Sequence, residues 1–296
     1  MRLGITTPVL SMVPGTDATW ELDGTIEDVA TVATAAERLG YDFLTCAEHV
    51  VVPTGVAGER GSRYWDPLAT LGYLAAVTAQ ISLATNVVVL GYHHPLEIAK
   101  RYGTLDQVSG GRLILGLGVG SLREEFELLG RPFDDRGARA DDALRALRAS
   151  LSERRPEYSG PYYRYADVVM DPCARQDQVP LWIGGRTARS LRRAVELGDG
   201  WAPFGIRATD ITTMLAAARA TPAWAGRNEP LEVVLRNGRP LDPLDDPEGA
   251  RDIVGRLVDA GATGLQVWFA HRSLAHYLEQ LEAMAELVGS ERVKQE

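Results

Sequence analysis

Short apolar runs alternate with stretches in which hydrophobic residues recur every three or four positions, and the alternation repeats eight times along the chain. Residues 2–6 (RLGIT) form the first run. Over 25–39, Ile26, Val29, Ala30, Ala33 and Ala36 fall on one face of a helix. Thr25 stands at its N-cap, Asp28 at the capping-box position, and Gly40 where the helix must stop. A strand follows at 41–46, and Asp66-Pro67 opens the next helix as cap and first-turn proline. The third strand is predicted over 81–90, where Val87, Val88, Val89 and Leu90 are apolar on both faces, as in a buried parallel strand. Pro95 starts a helix that runs to 108 and ends at Ser109-Gly110-Gly111. Strands at 112–118, 180–183, 200–203, 231–235 and 263–269 alternate with helices at 135–151, 187–197, 209–220, 249–260 and 273–288. Eight successive βα units predict an α/β fold closed as a (β/α)8 TIM barrel, one domain over 1–296; the rival is an open doubly wound sheet in two domains. Residues 157–171 stand outside the repeat and read as a surface hairpin, there for packing or subunit contact.

Composition narrows the partners. The 296 residues are 45% hydrophobic, enough for one barrel core, and carry a formal net charge of -9. That balance excludes a basic nucleic-acid footprint and a polybasic membrane surface. Cys46 and Cys173 lie far apart in no metal-ligand pattern, which suits a reducing cytosol. The opening MRLGITTPVL lacks a secretory pattern, and no apolar run approaches the ~18 residues that span a bilayer. A cytoplasmic protein without a metal is the expectation.

In a barrel the chemistry sits on the loops that leave the strand C-termini. After the second strand come Cys46, Ala47, Glu48 and His49, a carboxylate beside an imidazole that could move protons or could simply order the loop. Cys46 reads as a small buried hydrophobe. After the fourth strand come Gly118, Val119, Gly120 and Ser121, where glycines permit close approach of a ligand or just a tight turn. After the fifth come Gly184, Gly185, Arg186 and Thr187 at a helix start, where free N–H groups and the helix dipole suit a phosphate. The plain alternative is a turn with Thr187 as an ordinary cap. His93-His94-Pro95 fits a helix start better than a metal site, and Arg189, Arg192 and Arg193 read as a solvated helix face.

Four segments together resemble the luciferase-like flavin- and F420-dependent oxidoreductases, above all the F420-dependent branch. They are GYDFLTCAEHVVVP (40–53), YWDPLATLGYLAA (64–76), the block at 81–130 from ISLATNVVVLGYHH to SLREEFELLG, and PLWIGGRTARSLRRAVELGDGW (180–201). The resemblance implies a luciferase-like monooxygenase type of barrel, usually a homodimer, with a flavin or deazaflavin at the strand ends. It places Asn86-Val87 at a non-prolyl cis peptide bulge that supports the cofactor ring, and the loops at 118–121 and 184–187 around its tail. Glu48 and His49 fall where the sugar-phosphate dehydrogenase branch has an Asp-His pair. That branch also has a glutamate where this chain has Ser121, and a tryptophan where it has Val50–Pro53, so glucose 6-phosphate is not the expected substrate. Tyr64, Trp65, Tyr92 and Trp268 are candidate pocket aromatics, and the short loop at 236–247 leaves the pocket open.

The implied activity is hydride transfer between F420 and a small-molecule organic substrate. The alternatives are an FMN-dependent monooxygenase fed by a separate flavin or F420 reductase, a non-catalytic flavin- or F420-binding protein, and, from the fold alone, a phosphosugar enzyme without redox chemistry.

Overall fold

Residues Arg2–Thr6 form strand β1, and the strands after it come at the expected places: β2 Phe43–Cys46, β3 Ser82–Thr85, β4 Leu113–Gly118, β5 Leu181–Gly184, β6 Gly200–Ala202, β7 Glu232–Arg236 and β8 Gly264–Val267. Each pairs in parallel with the next, and β8 pairs with β1 through Leu3↔Leu265 and Ile5↔Val267, so the eight-stranded barrel closes. The computed structural model describes residues 1–15 and 18–292, with side chains through residue 289. No helix among the described residues is long and apolar enough to cross a membrane.

Alternation along the strands builds two apolar layers. Phe43, Ala84, Ile114, Trp182, Ala202 and Val234 form a cluster inside the barrel. Their neighbours Leu44, Leu83, Leu115, Leu181 and Leu235 face outward into the larger core beneath the helices. The interior is plugged at the strand N-termini. Phe43 and Trp182 meet edge to face at 5.0 Å, the Arg2 guanidinium covers both, and Glu232 accepts from Arg2 (3.0 Å) and the Trp182 indole (2.6 Å). A ligand can enter only at the C-terminal end.

Besides two four-residue helices, Ala57–Arg60 and Pro222–Ala225, the helices among the described residues are α1 Ile26–Arg38, α2 Pro67–Val77, α3 Pro95–Val108, α4 Arg123–Leu128, α5 Arg136–Arg148, α6 Ala188–Leu197, α7 Ala208–Arg219, α8 Pro247–Asp259 and α9 Leu274–Arg292. The Thr25–Asp28 capping box starts α1, and Asp66 caps α2 by accepting from Ala69 N (2.8 Å). The buried face of α1 includes Val32, with Ala30 only half-buried.

Three features differ from the sequence reading. The third strand is not continuous over 81–90: β3 ends at Thr85, the Asn86–Val87 peptide is cis, as the resemblance implies, and pairing resumes at Val88–Val89 against Leu117 and Gly118. Helix α4 lies in a polar segment whose pattern predicts none. Arg193 is buried in an ion pair with Asp141 of α5, so it is not part of a solvated face. The segment at 157–171 is a hairpin, with Tyr158–Ser159 antiparallel to Arg164–Tyr165. It packs on α5, where Asp142 accepts from the Tyr158 hydroxyl (2.5 Å) and Tyr165 bonds Ser150 (2.6 Å).

Candidate active site

The barrel mouth holds a cavity of about 1050 Å³. The proton-transfer and cofactor candidates from the sequence line it: Glu48, His49, Asn86, Val87, Gly118, Val119, Gly120, Ser121, Gly184, Gly185, Arg186 and Thr187. Its floor is polar. Gln266 of β8 accepts from Asn86 Nδ2 (2.5 Å) and donates to the hydroxyls of Thr6 (2.9 Å) and Thr45 (3.2 Å), which ties three strands to the bulge after β3.

The cis bulge forms one wall. The end of β2 grips it from both sides, because Asn86 N donates to Cys46 O (2.8 Å) and Glu48 N to Val87 O (3.2 Å). The Val87 side chain projects between β4 and β5. A Cβ on Gly118 would stand 2.6 Å from Val87 Cγ2, and one on Gly184 would stand 2.6 Å from Val87 Cγ1. These two glycines therefore make room for Val87, and through it for the shape of the wall.

Glu48 and His49 do not pair with each other, since successive residues leave the chain on different sides. Glu48, buried, accepts from Val89 N (2.7 Å) and contacts His93 Nε2 (2.7 Å), which fastens the segment after the bulge. His49 contacts Glu125 of α4 through Nδ1 (2.7 Å). Among the described residues its Nε2 has no partner, and the ring lies on the cavity wall. Tyr64 packs edge to face on it at 4.5 Å, delivered by the antiparallel ladder of Ser11–Met12 with Arg63–Tyr64.

Glu125 is the site residue that sequence reasoning missed. It is fully buried, 76 residues from His49, on a helix without an apolar pattern. Its Oε2 faces His49 and accepts from the Tyr92 hydroxyl (2.6 Å), while Oε1 accepts from Val50 N (2.7 Å) and Val51 N (3.2 Å). Burial works to raise its pKa, but the bonds to His49, Tyr92 and Val51 outweigh it and hold the carboxyl below its ordinary value. An ionised carboxylate on Nδ1 fixes the Nδ1–H tautomer, so Nε2 offers the cavity a lone pair. Tyr92 is pushed upward, by burial first and by Glu125 next, and stays protonated.

Gly185 has φ +126°, and a Cβ there would meet Ser190 at 2.8 Å. Thr187 caps α6 and accepts from Ser190 N (3.4 Å), while Arg186 and Arg189 reach solvent at the rim. His94 caps α3, accepting from Leu96 N (3.1 Å). Cys46 is buried and its thiol is pushed up to about 12, mainly by burial, so it is inert. Of the four candidate aromatics, Tyr64 and Tyr92 reach the cavity, and Trp65 and Trp268 lie outside its wall. Arg236, at the end of β7, also lines the mouth. Its Nε is buried without a hydrogen-bond acceptor, and burial lowers its pKa.

The sequence profile of the luciferase-like monooxygenases matches residues 1–295. The phthiodiolone/phenolphthiodiolone dimycocerosates ketoreductase of Mycobacterium tuberculosis is 28% identical over 261 residues, covering 80% of this chain and 67% of the relative. The monooxygenase RslO1 of Streptomyces bottropensis superposes with a TM-score of 0.78 at 20% identity, over 99% of this chain and 100% of that one. The coenzyme F420-dependent tetrahydromethanopterin reductase of Methanopyrus kandleri also gives 0.78, at 16% identity, over 98% of this chain and 99% of that one. The chain belongs to the luciferase-like monooxygenase family and is an enzyme of its oxidoreductase class.

Proposed function

We propose that this family member is an F420-dependent oxidoreductase that moves a hydride between the deazaflavin and a small organic carbonyl or alcohol. The observation that carries the reading is His49 on the cavity wall, held by the buried Glu125. Reduction of a carbonyl needs a proton at the oxygen, and oxidation of an alcohol needs one removed there. An imidazole backed by a carboxylate does both near neutral pH, because the carboxylate stabilises the cationic ring. The ketoreductase relative supports the same reaction class.

The residues present fit such a cofactor. The bulge at Asn86–Val87 offers a wall for a planar ring. The glycine turn at 118–121 and the start of α6 face the cavity and could hold a phosphate; Thr187 N is taken by Ser190 Oγ (3.2 Å), so the helix would offer the N–H groups of Ala188 and Arg189, with the Arg186 and Arg189 side chains beside them for a longer anionic tail. When bound, the cofactor supplies the hydride-accepting or hydride-donating carbon. The protein's share is to orient the ring, keep the floor polar through Gln266, and hold or move the proton at His49 Nε2.

Titration of the purified chain with F420 and FMN, oxidised and reduced, tests this. F420 binding with His49→Asn sparing affinity but lowering turnover about 10²–10⁴-fold is expected. Tight FMN binding without F420 binding would replace the reading by a two-component monooxygenase, with a reductase as partner. Unchanged turnover in His49→Asn would remove the histidine from the chemistry.

A further inference from the structure

We infer that Arg236 anchors a carboxylate on the substrate, so that the reacting molecule is an organic acid with an apolar body. The inference rests on the oxidoreductase reading of the same cavity and adds the substrate's chemical class.

Arg236 ends β7 in the inward phase. Val234 belongs to the cluster inside the barrel and Leu235 to the layer outside it, so Arg236 turns into the mouth, where it lines the cavity. Arg236 is half-buried: its Nε is sealed from solvent and donates to nothing, while its terminal nitrogens open to the cavity with no acceptor among the described residues. Other arginines around the mouth are paired within the protein or lie exposed at the rim. Arg193 pairs with Asp141, Arg136 donates to the carbonyls of Gly120 (3.0 Å) and Phe133 (3.2 Å), and Arg186 and Arg189 reach water. The acidic groups on the wall are already engaged: Glu48 with His93, Asp134 with Arg123, and Asp135 with Arg139.

The one aromatic neighbour does not satisfy the guanidinium. Trp268 holds it at 5.3 Å from the ring centroid, and is itself fixed by its indole N–H on Asn237 O (2.8 Å). A cation–π contact leaves every N–H unpaired. A guanidinium keeps its proton even when burial opposes it, so Arg236 presents the cavity with a half-buried cation whose inner N–H is unmatched. A carboxylate supplies two acceptors in the geometry of the guanidinium fork.

Position separates this group from the cofactor's anchors. The bulge follows β3, and β7 stands four strands round an eight-strand ring, directly across the mouth. A ring laid on the bulge turns its free face toward Arg236. The phosphate-compatible turns follow β4 and β5, and Phe204, Val13 and Leu10 supply apolar wall for the rest of the molecule.

The test uses benzoate and cyclohexanecarboxylate as probes, with benzamide as the neutral control, titrated by calorimetry into wild type, Arg236→Met and Arg236→Lys. Each protein is measured alone and with bound F420 or FMN. The expected result is saturable binding of the acids to wild type, weakened at least tenfold in Arg236→Met and less in Arg236→Lys, with benzamide indifferent to all three. No acid binding to wild type, or equal binding in the Met variant, would overturn the inference. Loss of cofactor affinity in Arg236→Met would overturn it too, by giving the arginine to the cofactor. Failure of the oxidoreductase reading is a separate result, seen as wild type binding neither F420 nor FMN.

Discussion

Replacing Glu125 by glutamine changes one atom and tests the whole arrangement around His49. Glu125 accepts on both oxygens: Val50 N and Val51 N meet Oε1, and Tyr92 Oη and His49 Nδ1 meet Oε2. Backbone N–H groups cannot become acceptors, so the glutamine oxygen must stay on their side. Its NH2 then faces His49, which answers by giving up the Nδ1 proton. The neutral ring becomes the Nε2–H tautomer, and the nitrogen toward the cavity changes from acceptor to donor. Loss of the charge-assisted bonds costs about 1.5–3 kcal/mol of stability. Loss of the correctly oriented base costs about 10²–10⁴ in turnover, or about 3–5 kcal/mol at 1.36 kcal/mol per tenfold. Nitrogen NMR of the labelled imidazole reads the tautomer directly. Steady-state rates should show Glu125→Gln and His49→Asn to be non-additive, because they disable one unit. A retained Nδ1–H signal with turnover within threefold of wild type would refute the reasoning.

Three further outcomes are expected. Gly118→Ala drives a methyl to 2.6 Å from Val87, so it should destabilise by about 1–3 kcal/mol and weaken cofactor binding; unchanged melting and affinity would contradict the role given to Val87. Arg193→Met strands Asp141, which only exposed Arg192 still reaches (3.4 Å), and should cost about 3 kcal/mol in a urea titration; a loss below 1 kcal/mol would return Arg193 to the surface. Stability should also fall in mild acid. Burial pushes His271 down to about 4, and its Nδ1 accepts from the Trp20 indole (2.9 Å), which requires the neutral ring. Between about 6.5 and 4 the unfolded chain binds the proton and the folded one does not, so stability is full above that window and is lost as pH falls, by up to about 1.4 kcal/mol per unit. The depressed Glu125 carboxyl acts in the same direction at lower pH. A flat urea midpoint from pH 7 to 4 would exclude the His271 effect.

The barrel was legible because its signals are local. A strand such as Arg2–Thr6 or a capping box such as Thr25–Asp28 is written in adjacent residues. The break in the third strand was hidden from the hydrophobic pattern, since Val87 to Leu90 read as one apolar run whether or not the backbone turns at Asn86, and only the family resemblance pointed to a cis peptide there. The site was legible as a set of loops, because barrel geometry puts every strand end in one mouth. Its pairings were not. Glu48 and His49 look like partners in sequence, yet each finds its partner tens of residues away, on His93 and on Glu125. Arg193 looked solvated because its counter-charge, Asp141, lies on another helix.

Closure of β8 on β1 has a further consequence. An open sheet ends in two rows of unpaired N–H and C=O groups, which invite a strand from another molecule. A ring of eight strands has no such rows, so copies of this chain cannot associate by extending the barrel sheet. The free strand margins are confined to short ladders such as the hairpin, where the exposed Arg164 and Ser159 blunt them. Contact between copies is left to helix faces and loops, whose side chains can vary without disturbing the barrel beneath its mouth.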